Sequence, residues 1–373
     1  LKENGYATAI SGKWHLPGSH LDPEYGWDEY SLLGGYMNAR GLGIEWKGLW
    51  FSWSDAKSTF YDEAVIGENP GKYPALYWNG CVVENGAVLP GDTGTFAPDL
   101  CQSFALEFIR RNAGHPFFLY YPMVLPHDPW LGTPDPAVPG GRTGPGFDAY
   151  LRRVEYYLGE LADTLKKLGI YKNTVVIFTA DNATLANGKG SCSELGVRVP
   201  LVVFGGPVKA RGVSDRLVDF TDIYPTILEL AGIQLNATGI DAPAGKPDGK
   251  SFKPLLDEEP FQEKDFIFSF LDLERTLRTR DYMIDGSGGI WKCDPGGNLL
   301  DYEPLPENPA TRRVRESLLQ LMEGYSPPSA DDFSERRLET ARRNYVRGSH
   351  HPATMAAWRN GDEWMHHPRR QGK

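Results

Sequence analysis

Asp181 and Asn182 carry side-chain oxygens and stand just past the end of a β-branched and aromatic run, Thr174 to Phe178. Such a run reads as a strand buried on both faces. In open α/β sheets the carboxyl ends of the strands are where ligands bind. Oxygen donors suit a hard cation such as calcium, and Lys189, in the Gly- and Ser-rich loop that follows, suits an anion next to it. The same Asp-Asn pair also serves to cap turns, so both readings stand at this point. Lys13 and His15 form a second pair beyond a short strand, Tyr6 to Ile10. They share a side if the chain stays extended, and a converging lysine and histidine make an oxyanion clamp. The alternative is a surface lysine beside a packed Trp14. His127, in Pro126-His127-Asp128-Pro129, sits on a stiff backbone after a second run that reads as a buried strand, Pro116 to Val124. It fits a general acid, an anion-binding imidazole or a structural histidine.

The elements that must carry these residues follow from periodicity. Leu100, Phe104 and Phe108 recur every four residues between Asp99 and Asn112, which predicts an amphipathic helix. Leu151, Val154, Leu158, Leu161, Leu165 and Leu168 form a three-four stripe that predicts a helix packed on the sheet. After Asp181 the chain re-enters a strand at Val199 to Phe204, and Asp219 to Ala231 reads as a helix with Pro225 in its first turns. Residues 239 to 257 read as a connector. From Phe266 the pattern changes to short strands, Phe266 to Leu271 and Arg278 to Ile284, then a helix, Arg312 to Glu323, which predicts a small α+β unit. The stretch from residue 26 to about 96 is aromatic and Gly-rich and reads as a long loop region. Its Trp46, Trp50, Trp53, Tyr61, Tyr73, Tyr77 and Trp78 are expected to pack over the sheet or to stack on a sugar or aryl group. Domains are therefore expected at 1–257 (catalytic α/β) and 258–325 (small α+β). An Arg- and His-rich tail, 326–373, is expected to be disordered.

A chain of 373 residues holds one large α/β domain and a smaller companion, and its net charge of −10 argues against a nucleic-acid partner. No apolar run reaches membrane-spanning length and no signal pattern is visible. The four cysteines, Cys81, Cys101, Cys192 and Cys293, allow three pairings if all are oxidised. The chain opens on Leu1 inside what reads as a helix, so it is expected to be a fragment or processed product.

Several blocks in order resemble the sulfatase family. They include Gly12-Lys13-Trp14-His15-Leu16, Gly26-Trp27-Asp28-Glu29-Tyr30, Pro126-His127-Asp128-Pro129 and Phe178-Thr179-Ala180-Asp181-Asn182. Lys189-Gly190-Ser191, Glu194-Leu195-Gly196-Val197-Arg198-Val199-Pro200 and Asp248-Gly249-Lys250-Ser251 continue the series, so the resemblance covers roughly residues 1 to 325. It implies an alkaline-phosphatase-like α/β sandwich with a central, mostly parallel sheet flanked by helices, plus a small C-terminal antiparallel sheet with one helix. It also implies hydrolysis of sulfate esters of sugars or aryl alcohols and a periplasmic or secreted location. By resemblance Asp181 and Asn182 are calcium ligands, and Lys13 and Lys189 hold sulfate oxygens. His15 supports the nucleophile, and His127 binds sulfate or protonates the leaving group.

The family's nucleophile, a formylglycine made within Cys/Ser-x-Pro-Ser-Arg after an Asp-Asp pair, does not occur upstream of Lys13. Cys293-Asp294-Pro295 and Ser326-Pro327-Pro328-Ser329 are decoys, and Ala183, Leu195 and Pro17 depart from the family pattern. The expectation is a chain lacking its leading strand and inactive alone. Two alternatives stay open, a phosphoryl or phosphonate ester hydrolase of the same superfamily and a catalytically dead carbohydrate-binding remnant.

Overall fold

The computed structural model describes residues 1–14, 25–33, 77–78, 80–90, 94–127, 130–183, 188–192, 194–234, 249–271, 274–286, 288–293 and 303–325. The chain divides into two compact units, Leu1–Thr174 and Val175–Lys373. His15, the rings from Trp46 to Tyr73 and the tail from residue 326 lie outside the described residues.

In the first unit a short 3-10 turn, Lys2–Asn4, ends at Gly5 in the left-handed region (φ 81). The chain then enters β1, Ala7–Gly12. Strand β2 is Glu29–Leu33, β3 is Cys81–Glu84 and β4 is Ala87–Pro90. Helix α1 spans Ala97–Arg111, with Pro98 and Asp99 in its first turn and Arg110 and Arg111 in its last, which suits its dipole. Strand β5, Phe117–Tyr120, and helix α2, Phe147–Lys167, complete the unit. The sheet order is β4-β3-β2-β1-β5, with β1 parallel to both β2 and β5, and β2-β3 and β3-β4 antiparallel. Alternation along the strands sends Ala9, Phe117 and Leu119 to one face, where Phe104 and Phe108 of α1 cover them. Ile10, Trp14, Leu32, Trp27 and Tyr30 form a second cluster.

Three expectations change here. Strand β5 is not buried: its first three residues are half-buried and Tyr120 is 49% exposed, because β5 stands at the edge of the described sheet. The apolar stripe of α2 is offset. Leu151 and Leu168 face solvent, while Tyr150, Val154, Tyr157 and Leu165 are buried. The tyrosines go inward because their hydroxyls find partners, Leu131 N–H donating to Tyr150 Oη at 3.2 Å and Tyr157 Oη donating to Asp99. The aromatic stretch also contains the β3–β4 hairpin, turned by Asn85 (φ 47) and Gly86 (φ 88). Tyr77 and Trp78 are packed, Tyr77 stacking on Phe96 at 5.9 Å and Trp78 lying under the Arg142 guanidinium.

In the second unit, β6, Val175–Thr179, pairs antiparallel with β7, Leu201–Gly205, and helix α3, Glu194–Val197, lies between them in sequence. All five residues of β6 are half-buried rather than buried on both faces, since β7 is its single partner among the described residues. A 3-10 turn, Phe220–Asp222, capped by Asp219 leads into α4, Ile223–Leu230, followed by α5, Lys253–Leu256. The small sheet is an antiparallel meander, β8 (Ile267–Leu271), β9 (Glu274–Arg278), β10 (Tyr282–Asp285), β11 (Ile290–Lys292) and β12 (Glu303–Pro304). Arg278 to Ile284 is therefore not one strand. Thr279 exchanges hydrogen bonds with Tyr282 and closes a turn between β9 and β10. Helix α6, Pro309–Glu323, is capped by the Asn308 side chain and packs Leu318 and Met322 on Leu277, Ile284 and Ile290.

Candidate functional site

Lys13 and His127 follow the C-terminal ends of two neighbouring parallel strands, β1 and β5, so both lie in segments that leave the same end of the sheet. The main chain holds both. Gly12 has φ 121, and a Cβ there would overlap the Pro122 carbonyl oxygen, so only glycine lets the strand end pass this closely. The next residue then binds the same carbonyl, Lys13 N–H donating to Pro122 O at 2.8 Å. His127 N–H donates to Val124 O at 2.9 Å, and Tyr77 Oη donates to the His127 carbonyl. Trp130 Nε1 donates to Pro126 O at 3.0 Å, which closes the turn from the other side. Both candidate side chains are half-buried, reachable from solvent but backed by protein.

A small cavity lies against this end of the sheet, lined by Gly12, Cys101, Tyr121, Met123 and Tyr157. Below it Asp99 accepts from Arg153 Nη2 at 2.5 Å and from the Tyr157 hydroxyl. Burial pushes the Cys101 thiol up to about 12, and burial with the Asp99 charge pushes the Tyr157 phenol well above its ordinary range. A buried thiol kept protonated in this way is a poor nucleophile, which fits a packing role for Cys101. Cys101, Cys192 and Cys293 are each buried and form no disulfide, so the structure does not pair all four cysteines.

The second unit carries the other candidates. Asp181 and Asn182 follow β6, as the strand reading expects, and Asn182 N–H donates to Asp181 Oδ1 at 2.9 Å. That local bond is the turn-cap role, and it coexists with an exposed carboxylate. Lys189 is exposed in the turn 188–190, whose shape is set by Ser191: its N–H and Oγ both donate to Gly188 O, at 3.1 and 2.9 Å. Helix α3 joins the two pieces. Ala183 N–H donates to Gly196 O at 3.2 Å, and a Cβ on Gly196 would overlap the Ser191 and Gly188 carbonyls. The Asp-Asn segment and the Lys189 turn are thus mounted on one short helix.

Asp181 and Asn182 offer the hard oxygen donors that calcium takes. Among the described residues no three His, Cys, Asp or Glu side chains converge, so these two would be part of a larger ligand set. Reasoning from sequence missed what supports the loop. Glu194 of α3 is 5% exposed and pairs with Arg278 of β9 at 3.3 Å. It also missed the role of Gly249, seated against the Thr221 carbonyl, and of Asp222, 1% exposed and paired with Lys264 at 2.8 Å.

The sequence profile of the family described as Sulfatase matches residues 1–233. Arylsulfatase A of Homo sapiens is 30% identical over 311 residues, covering 76% of this chain and 56% of that protein. A crystal structure of a sulfatase from Pseudoalteromonas sp. aligns with TM-score 0.58 and 20% identity, over 88% of this chain and 73% of that one. A phosphonate monoester hydrolase from Silicibacter pomeroyi aligns with TM-score 0.52 and 16% identity, over 88% of this chain and 79% of that one. The fold is alkaline-phosphatase-like, a mixed sheet with helices and a small antiparallel sheet. The chain spans about half the length of the curated relatives it matches.

Proposed function

Because this chain belongs to the sulfatase family, we propose that it is the sulfate-binding part of a sulfate ester hydrolase acting on sulfated carbohydrates or aryl sulfates. What supports this reading is that Lys13, His15, His127, Asp181, Asn182 and Lys189 all fall inside the matched residues 1–233. The described ones also stand at strand ends or in the loop following one. Cleaving a sulfate ester loads negative charge onto the sulfuryl oxygens and the departing oxygen, so fixed donors aimed there lower the barrier. Lys13 and Lys189 bind sulfuryl oxygens as point charges. His127 binds the sulfate or gives its proton to the leaving oxygen, and His15 supports the nucleophile. Calcium held by Asp181 and Asn182 would supply further positive charge to the same oxygens when bound. In this reading the nucleophile is a formylglycine, and no Cys/Ser-x-Pro-Ser-Arg segment that would carry its precursor occurs in these 373 residues. Among the described residues no helix is long and apolar enough to cross a membrane, and a periplasmic or secreted location fits the proposed substrates.

The test is to assay the whole protein that contains these residues on 4-nitrophenyl sulfate and on a phosphonate monoester, before and after calcium chelation. Sulfate turnover that falls on chelation is expected, with none from the 373-residue chain alone. Faster turnover of the phosphonate would favour the alternative that shares this fold. No turnover of either would favour a carbohydrate-binding remnant.

A further inference from the structure

Two pieces of the candidate site rest on α3, and α3 in turn rests on a side chain from the small sheet. Gly196 of α3 lies against the carbonyls of Gly188 and Ser191, which flank Lys189, and accepts the Ala183 N–H just after Asn182. A four-residue helix has little stability of its own, because nucleating a turn costs more than its few hydrogen bonds return. Something else must hold it. Its first residue, Glu194, is buried, and its carboxylate meets Arg278 Nε at 3.3 Å and Arg198 Nη1 at 3.7 Å. Arg278 is itself 7% exposed, at the last position of β9, and its Nη1 donates to the Arg280 carbonyl at 2.8 Å. The guanidinium is thus fixed on its own side by the β9–β10 turn and reaches Glu194 with its remaining donors.

A buried carboxylate is tolerated only with its partner in place, so the pair fixes where α3 can sit. Arginine suits this place better than lysine, since its planar fork binds the carboxylate and the turn carbonyl at once.

We infer that Arg278 is a positioning residue of the candidate site: through Glu194 the small antiparallel sheet holds α3, and α3 holds the Lys189 turn and the Asp181-Asn182 segment. The inference rests on the sulfatase reading for its consequence in activity, but its structural half stands apart from that reading. Arg278 is buried against Glu194 and the Arg280 carbonyl. It acts through the loop, and the small sheet becomes part of the apparatus that orders the site.

Amide hydrogen exchange of the 373-residue chain tests the structural half. In Arg278→Met the amides of Ala183, Ser191 and Arg198 should exchange about tenfold faster or more, while those of β10 and β11 keep their rates. Arg278→Lys should fall between. Unchanged exchange at those three amides overturns the inference. Should Arg278→Met not fold, Arg278→Lys against the parent chain decides in the same way. In the whole protein, aryl sulfate turnover by Arg278→Met should drop about tenfold or more, with partial recovery in Arg278→Lys. A loosened loop with unchanged turnover overturns the inference, provided Lys189→Ala does lower turnover. If Lys189→Ala lowers nothing, the sulfatase reading of the loop has failed instead.

Discussion

The two regions that carry candidate residues are held by different physics. In the first unit, Lys13 and His127 are placed by main chain, the β1–β5 ladder, the Gly12 approach to Pro122 and the carbonyl bonds around them. In the second unit the Lys189 turn and the Asp181-Asn182 segment hang on a short helix fixed by a buried ion pair from a remote strand. Main-chain placement is insensitive to pH and salt and fails only when a residue does not fit. Side-chain placement depends on charge, and it fails when either partner is removed. Each unit therefore holds its candidate residues in its own way, the first by main-chain fit and the second through a charge pair reaching α3 from the small sheet.

Breaking each kind of support should sharpen the contrast. The largest loss is expected in the charge-held unit. Lys264→Met leaves Asp222, 1% exposed, without its ammonium partner and should cost about 3–5 kcal/mol in denaturant unfolding. Burial alone would lower the Lys264 pKa, but the Asp222 and Asp219 carboxylates outweigh it and raise it. The parent's stabilisation from this pair is therefore complete below the ordinary lysine value and fades as pH climbs above it, and the variant should lack that alkaline fall. An equal fall in parent and variant would show that the pair is not what titrates.

Next comes the backbone seam. Gly12→Ala forces a Cβ onto the Pro122 carbonyl at a φ that favours glycine, and should cost about 2–4 kcal/mol with little dependence on pH or salt. A loss below about 0.5 kcal/mol would mean that the strand end is not held as described.

Cys101 reports on the same unit. Its thiol, pushed up to about 12 by burial, keeps its proton in the folded chain where the unfolded chain, near 9, loses it. Its contribution to stability is thus full below about 9 and declines as pH rises from there to about 12. Iodoacetamide near the ordinary thiol pKa should leave Cys101 unlabelled until denaturant is added, and ready labelling of the folded chain would contradict its burial. The smallest effect is expected from Asn85→Ala. It loses the Asn85 Oδ1 bond to Tyr30 N–H and puts alanine at a left-handed φ, for about 1–2 kcal/mol measured by thermal melting.

The contrast also explains what could be read from sequence. The strands before Lys13, His127 and Asp181 were legible because buried or half-buried strands need runs of β-branched and aromatic residues, and the loops after them begin where the runs stop. Helix α2 was legible as a helix, but its inward face was not. Tyr150 and Tyr157 look like surface residues until their hydroxyl partners are known. The β3–β4 hairpin has its signal in Asn85-Gly86, a two-residue turn set within an aromatic stretch that shows no strand periodicity of its own. The Glu194–Arg278 pair had no local signal. Each residue reads alone as a solvated charge, and only folding brings them into contact.

The most direct test of the account is kcat/KM for aryl sulfate hydrolysis by the whole protein with Lys13→Ala and, separately, Lys189→Ala. If both lysines hold sulfuryl oxygens, each variant should lose about a hundredfold or more, with its fold intact by circular dichroism. Full activity in either variant would contradict the sulfate-binding role assigned to that lysine.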